Sequence, residues 1–267
     1  MADTLPLSIG ILGADGRMGR AVVRAVTETE GAAITAAFTH DSSDTIGRDA
    51  GELAGVAKVG VALSPFSADA LAGCDVLIDF SRPGATRMAV LAMQVSPCQA
   101  IVSGTTGQSA DELAELHDLA SGLRFLRAGN FSLGVNLLEA LVEQAARALG
   151  PDYDIEVDEA HHRHKVDAPS GTGLLLGEAA ARGRGVELSH QPDRNGMREA
   201  GSIGFSVRRA GGIVGDHAVS FTSELEQLEL GHRAFDRSVF AHGAVAAARW
   251  LSRQAPGRYG MRDVLGI

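Results

Sequence analysis

Short apolar runs alternate with segments of helical period through the first half of the chain, and strictly alternating runs dominate much of the second. Leu7 to Leu12 is an apolar run that predicts a buried strand. It leads into Gly13-Ala14-Asp15-Gly16-Arg17-Met18-Gly19, after which Ala21 to Val26 continues at helical spacing. Ala32 to Phe38 predicts a second buried strand. A polar, glycine-rich loop through about Lys58 follows. Then come Cys74 to Phe80 as strand, Gly84 to Gln94 as helix, Gln99 to Ser103 as strand, Ser109 to Ala120 as helix and Arg124 to Ala128 as strand. Strand–helix alternation of this kind predicts an α/β fold, a Rossmann-type doubly wound parallel sheet covered by helices.

Phe131 to Leu149 reads as a long amphipathic helix with Leu137, Leu138, Leu141, Val142 and Ala145 on one face. The period then changes. Asp154 to Glu159 alternates strictly, Ser170 to about Arg182 is helical, and Gly183 to Ala200 is polar without a clear period. Ser202 to Arg209 and Gly212 to Thr222 alternate around Gly211-Gly212, which predicts an antiparallel hairpin. Glu224 to Leu230 predicts another strand. Val239 to Leu251 returns to helical spacing, with Trp250 expected in the core, and Met261 to Leu265 closes the chain. The pattern divides the chain into a first domain over residues 1–131, to which 239–267 returns, and an α+β domain over 132–238 with a mostly antiparallel sheet. A sheet with few helices to cover it predicts a homo-oligomer built through its open face.

With 267 residues, 45% of them hydrophobic, the chain is long enough for a substantial core. The net charge of −9 argues against a nucleic-acid surface and points to a small-molecule partner. Cys74 and Cys98 sit at the edges of apolar runs and read as buried free thiols of a reducing compartment. The N-terminal residues show no basic leader and no apolar run approaches the roughly 18 residues of a membrane span, so a cytoplasmic protein is expected.

Two stretches carry chemistry. The glycines of the first loop fall in a GxxGxxG pattern: Gly13 for the tight turn, Gly16 for close approach of a pyrophosphate, Gly19 for close helix–strand packing. The same glycines also suit an ordinary turn. Phe80-Ser81, Gly104-Thr105-Thr106-Gly107 and Ala128-Gly129-Asn130-Phe131-Ser132 all fall at strand ends, where ligands of such sheets sit. The second strand runs into Thr39-His40 with no acid for an NAD ribose; with Arg17 and His40 able to meet a 2′-phosphate, NADPH is expected to serve at least as well as NADH.

The other stretch is Glu159 to Gly173, EAHHRHKVDAPSGTG. Ser170 is placed to cap a helix whose first N–H groups, at Gly171 and Thr172, together with Lys165 suit an anion. His161, His162 and His164 bring the side-chain type whose unperturbed pKa lies nearest neutral pH, which suits proton transfer. Two other readings stay open: a solvated charged loop, and a metal site built from Glu159, His161, His162, His164 and Asp167, against which Arg163 and Lys165 weigh. An aldehyde or amino-acid dehydrogenase and a non-catalytic nucleotide sensor are the further alternatives for the chain as a whole.

Gly13 to Gly19, DFSRP at Asp79 to Pro83, GTTG at Gly104 to Gly107, NFSLGVN at Asn130 to Asn136, EAHHRHKVDAPSGT at Glu159 to Thr172 and the closing MRDVL together resemble the 4-hydroxy-tetrahydrodipicolinate reductase (dihydrodipicolinate reductase) family of bacterial lysine and diaminopimelate synthesis. The resemblance implies an NADH- or NADPH-dependent reductase, a cyclic dicarboxylate substrate and a homotetramer. It implies His161 and Lys165 as the acid/base and proton donor, and His162, Lys165, Ser170, Gly171 and Thr172 as substrate contacts. The nucleotide contacts it implies are Gly13, Ala14, Asp15, Gly16, Arg17 and Met18, with Thr39 and His40, Gly104, Thr105 and Thr106, and Ala128, Gly129, Asn130 and Phe131. It also implies domain closure, with hinges near Asn130 to Gly134 and Arg237 to Ala241.

Overall fold

The computed structural model describes residues 5–189 and 196–267. The first elements are β1 (Leu7–Leu12), α1 (Arg17–Thr27), β2 (Ala32–Thr39), α2 (Ala50–Ala54), β3 (Leu63–Pro65), α3 (Ala68–Leu71), β4 (Val76–Asp79), α4 (Pro83–Met93), β5 (Ala100–Ser103), α5 (Ala110–Leu119) and β6 (Arg124–Arg127). Then follow α6 (Leu133–Leu149), β7 (Asp154–His161), α7 (Gly171–Arg184), β8 (Ile203–Arg209), β9 (Gly215–Thr222), β10 (Gln227–Ala234), α8 (Ser238–Leu251), β11 (Gly257–Tyr259) and α9 (Met261–Leu265). Contacts divide the chain into one unit running through Ser132 and resuming at Ser238–Gly266, and a second over Leu133–Arg237.

The first unit is a parallel seven-stranded sheet in the order β11-β6-β5-β4-β1-β2-β3. Its central strands are buried on both faces, which is why they read as continuous apolar runs. Val22, Val23 and Val26 of α1 and Ala244, Val245 and Ala248 of α8 cover one face; Val90 and Met93 of α4 and Leu116 of α5 cover the other. Trp250 packs against the first of these cores and meets Tyr259 edge-on. Cys74 and Cys98 are buried and free, and burial pushes both thiols up, Cys98 to about 12. The glycine-rich loop before Lys58 is more ordered than its composition suggests. Asp49 caps α2 and also accepts from the N–H groups of Val59 and Gly60, folding the segment on one carboxylate.

The second unit is a mixed four-stranded sheet in the order β10-β9-β7-β8, with α6 and α7 packed on one face around Leu138, Val142, Ile155, Val157, Leu176, Val219 and Phe221. Two local readings need correction. Strands β8 and β9 are not a hairpin: β7 lies between them, antiparallel to β9 and parallel to β8. The parallel pairing is possible because α7 supplies the crossover from β7 to β8. Helix α6 buries Val135, Leu138, Val142 and Ala146, while Leu137 and Leu141 stay more than two-fifths exposed. The buried stripe is rotated from the expected face and also carries Glu139, which meets Arg182 of α7 at 2.6 Å. The polar segment expected over 183–200 lies outside the described residues at 190–195. Among the described residues no helix is long and apolar enough to cross a membrane.

Candidate active site

In the first unit, the candidate nucleotide residues occupy the loops at the carboxyl ends of β1, β2, β5 and β6. Gly13 adopts φ +81°, which disfavours any side chain. A Cβ at Gly19 would lie 2.1 Å from the Gly13 carbonyl oxygen, so α1 runs as close to the loop as a glycine permits. Gly16 is the N-cap residue of α1 and contributes no side-chain cap, which leaves the first turn of an eleven-residue helix open to an anion at Arg17 and Met18. Arg17 is exposed and Met18 packs on the core.

Beneath the neighbouring loops lies Asp79, fully buried at the end of β4. Its Oδ2 accepts from the hydroxyls of Thr86 (2.6 Å), Ser103 (2.8 Å) and Thr105 (2.9 Å), and its Oδ1 from the Ser81 N–H. One carboxylate thus ties the ends of β4 and β5 to α4 and holds Thr105 against Ser81. Gly104 sits over the Phe80 ring, where a Cβ would be 2.2 Å from a ring carbon, and Phe80 in turn meets Phe131 edge-on. Thr106 and Gly129 are exposed, and Ala128 and Asn130 half-buried. At the end of β2, Thr39 is buried and His40 exposed. The carboxylate absent from that strand is offered by the glycine loop instead: Asp15 accepts from the Ser43 hydroxyl at 2.8 Å. Burial alone would raise its carboxyl, but hydrogen bonds from the hydroxyls around it and the nearby His40 hold it below the ordinary range.

In the second unit the histidine stretch begins inside β7, whose inward positions are Ile155, Val157, Glu159 and His161. Alternation therefore buries Glu159 and His161 on the apolar face, under the start of α7. Glu159 is the hub. Its Oε1 accepts from the Ser170 N–H (2.9 Å) and from the Arg209 guanidinium (2.9 Å), while its Oε2 lies 3.3 Å from His161 Nδ1 and 3.7 Å from His217 Nε2. Burial alone would raise this carboxyl, but the donors Ser170 and Arg209 outweigh it and hold Glu159 below its usual range.

His161 is lowered by burial first and by Lys165 and Arg209 next, with Glu159 and Asp167 opposing. The His217 ring stands edge-on to that of His161, 5.0 Å between centroids, and burial brings it down to about 4. Ser170 caps α7, its hydroxyl accepting from the Gly173 N–H at 3.0 Å, and Gly171 opens the helix in an exposed position beside half-buried Thr172. Lys165 is half-buried and pairs with Asp167 at 2.8 Å; His162 is half-buried, whereas Arg163 and His164 are exposed.

The residues 210–214 that join β8 to β9 arch over the end of β7, with the Ala210 N–H on the His161 carbonyl and the Arg163 N–H on that of Gly211. That arch delivers Arg209 and His217 to either side of Glu159. Neither residue was singled out from the sequence. The signal for His217 was present in the alternation Gly215, His217, Val219, Phe221, which puts it on the buried face. Of the five ligands considered for a metal, the fold gathers only Glu159 and His161, joined by His217, with ligand atoms within 4.8 Å of one another. Arg209 already neutralises Glu159 there, and Lys165 adds a second positive charge beside His161.

A family model described as "Dihydrodipicolinate reductase, N-terminus" matches residues 7–131, and one described as "Dihydrodipicolinate reductase, C-terminus" matches residues 134–265. The chain belongs to the dihydrodipicolinate reductase family. That places it among oxidoreductases. A 4-hydroxy-tetrahydrodipicolinate reductase of Methylocella silvestris is 50% identical over 263 residues, covering 96% of both chains. One of Sinorhizobium medicae is 49% identical over 274 residues, covering both chains completely. The fold is also that of the dipicolinate-bound dihydrodipicolinate reductase from Paenisporosarcina sp. TG-14, with a TM-score of 0.76 at 21% identity over 96% of this chain and 98% of that one. The N-terminal model, whose family is that of a nucleotide-binding reductase, covers the glycine loop and all the loops around Asp79.

Proposed function

We propose that the chain reduces 4-hydroxy-tetrahydrodipicolinate to tetrahydrodipicolinate with NADH or NADPH, in the synthesis of diaminopimelate and lysine. The observation that carries this reading is the second unit's cluster: a proton-carrying His161 backed by Glu159, a half-buried Lys165 and a capped helix start within one loop of ten residues. The relatives' name supplies the substrate, a ring bearing two carboxylates. Lys165 and the opening of α7 at Ser170, Gly171 and Thr172, with His162, suit one of those carboxylates by full charge, helix dipole and N–H groups.

The overall change replaces a ring hydroxyl by hydrogen, so a hydride and a proton enter and water leaves. A bound reduced nicotinamide supplies the hydride. The residues of this chain supply the rest: His161 and Lys165 deliver the proton that balances the charge placed on the ring. The uncapped start of α1 and the close Gly13–Gly19 approach fit a pyrophosphate, and Gly13 to Met18, Thr39 and His40, Gly104 to Thr106 and Ala128 to Phe131 would line the nucleotide.

Both nucleotides are proposed to serve. His40 and Arg17 favour a 2′-phosphate, and Asp15 opposes one. We also propose a cytoplasmic homotetramer built through the outward face of the four-stranded sheet. The reaction is tested by following absorbance at 340 nm with freshly made substrate and each nucleotide in turn. Oxidation of either nucleotide that depends on the substrate supports the reading; binding of nucleotide without its consumption contradicts it and leaves a sensor.

A further inference from the structure

The Glu159 side chain is wholly buried, and a structural role accounts for only one of its two oxygens. Oε1 ties the N–H of Ser170 and the Arg209 guanidinium, joining β7, α7 and β8. Oε2 carries no such backbone or guanidinium tie and faces two ring nitrogens: His217 Nε2 at 3.7 Å, itself 3.4 Å from the Ser170 hydroxyl, and His161 Nδ1 at 3.3 Å, buried and without another hydrogen-bond partner. A buried carboxylate oxygen and a buried ring nitrogen this close are compatible with one arrangement of the neutral ring, the proton on Nδ1. The other tautomer would press a nitrogen lone pair against the buried carboxylate.

We propose that Glu159 is a positioning residue for His161, holding its ring by Nδ1–H so that Nε2 is the atom that takes up and releases the proton. The proposal rests on the reading of His161 as an acid/base of the reduction and adds to it the residue that sets which nitrogen works. Nε2 lies toward Gly215, where a Cβ would come within 3.2 Å of it, so the glycine keeps that nitrogen uncovered. The His217 ring stands edge-on to the His161 ring at 5.0 Å between centroids.

The charged and titratable groups facing His161 are Glu159 on β7, Lys165 and Asp167 in the following loop, Arg209 on β8 and His217 on β9. Of these, Glu159 is the strongest influence holding the His161 pKa up against burial. Exchange of Glu159 for Gln keeps an oxygen for Ser170 and Arg209 and turns an NH₂ group toward Nδ1, which inverts the tautomer and removes the charge.

Long-range ¹H–¹⁵N spectra of the histidine-labelled wild-type protein test the claim without any variant. They are expected to show His161 as the Nδ1–H form above its pKa, and an Nε2–H form would overturn the proposal. In the pH profile of kcat/KM, E159Q is expected to move the alkaline limb to lower pH and to lower turnover about 10²-fold or more, the scale on which a reversed tautomer acts. Nucleotide binding by the first unit should stay at its wild-type level. An E159Q profile of reduced height with an unmoved limb makes Glu159 merely structural and overturns the proposal. H161Q separates the two layers: loss of the limb in H161Q upholds the reading of His161, whereas its persistence overturns that reading and the proposal with it.

Discussion

His217 shows how much one register decides. Antiparallel pairing sets it directly across from Glu159, and burial, with His161 beside it, brings it to about 4 from 6.5. Its folded pKa lies below its unfolded one, so the unfolded chain binds the extra proton between these values. Stability from this residue is fully present above about pH 6.5 and is lost as pH falls towards 4, by roughly 3 kcal/mol at most. The urea midpoint of the wild type should therefore fall more steeply over that range than that of H217Q; parallel slopes would contradict the account.

Asp15 makes the second prediction at this scale. Its ionised carboxylate stands beside His40 at the end expected to select the ribose. D15N should raise the ratio of kcat/KM for NADPH to that for NADH, by roughly fivefold if the charge contributes about 1 kcal/mol against a 2′-phosphate. An unchanged ratio would remove Asp15 from nucleotide choice. The contiguous loop residues His161, Lys165 and Ser170 were legible because they adjoin one another in sequence. Arg209 and His217 were not, because strand order brings them there and alternation alone does not reveal strand order.

Elements were legible wherever period and burial agree. The longer parallel strands of the first unit announced themselves as largely apolar runs; α4, α5 and α8 begin within one residue of the expected position, whereas α1 begins at Arg17, four residues before Ala21. The short α2, β3, α3 and β11 went unseen because three to five residues give no period. The hairpin reading of β8 and β9 failed for a different reason: two alternating strands with glycines between them look the same whether they pair or flank a third.

Tight approaches between elements make a sharper test. A Cβ at Gly243 of α8 would lie 1.8 Å from the Phe131 carbonyl oxygen, inside the turn proposed to hold the nucleotide. G243A gains helix propensity, yet it should lower stability by about 1–3 kcal/mol through overpacking and weaken nucleotide binding. An equal or higher melting temperature with unchanged nucleotide affinity would show that α8 and this turn are not so closely packed. G84A, where a Cβ meets nothing within 4 Å, serves as the control.

Each unit carries its own core, and the chain passes from one to the other at Ser132/Leu133 and again at Arg237/Ser238. The outward face of the four-stranded sheet presents Asp158, Ser206, Arg208, Glu229 and Arg233, all exposed, and Arg233 pairs with Asp216 at 3.1 Å. Charges of both signs on one face suit a self-complementary contact. The proposed tetramer should give about four times the 27.7 kDa chain mass in light scattering, and the double variant R208E/R233E should dissociate it; a monomeric wild-type protein would overturn this part.

The account as a whole depends on His161 and Lys165 carrying the proton of the reduction. Its most direct test is the kcat of H161Q and K165A with freshly made substrate and saturating nucleotide. Each variant is expected to retain nucleotide binding and to lose roughly 10²–10⁴-fold in turnover, the range of a positioned acid. Near-wild-type turnover in both would contradict the central claim.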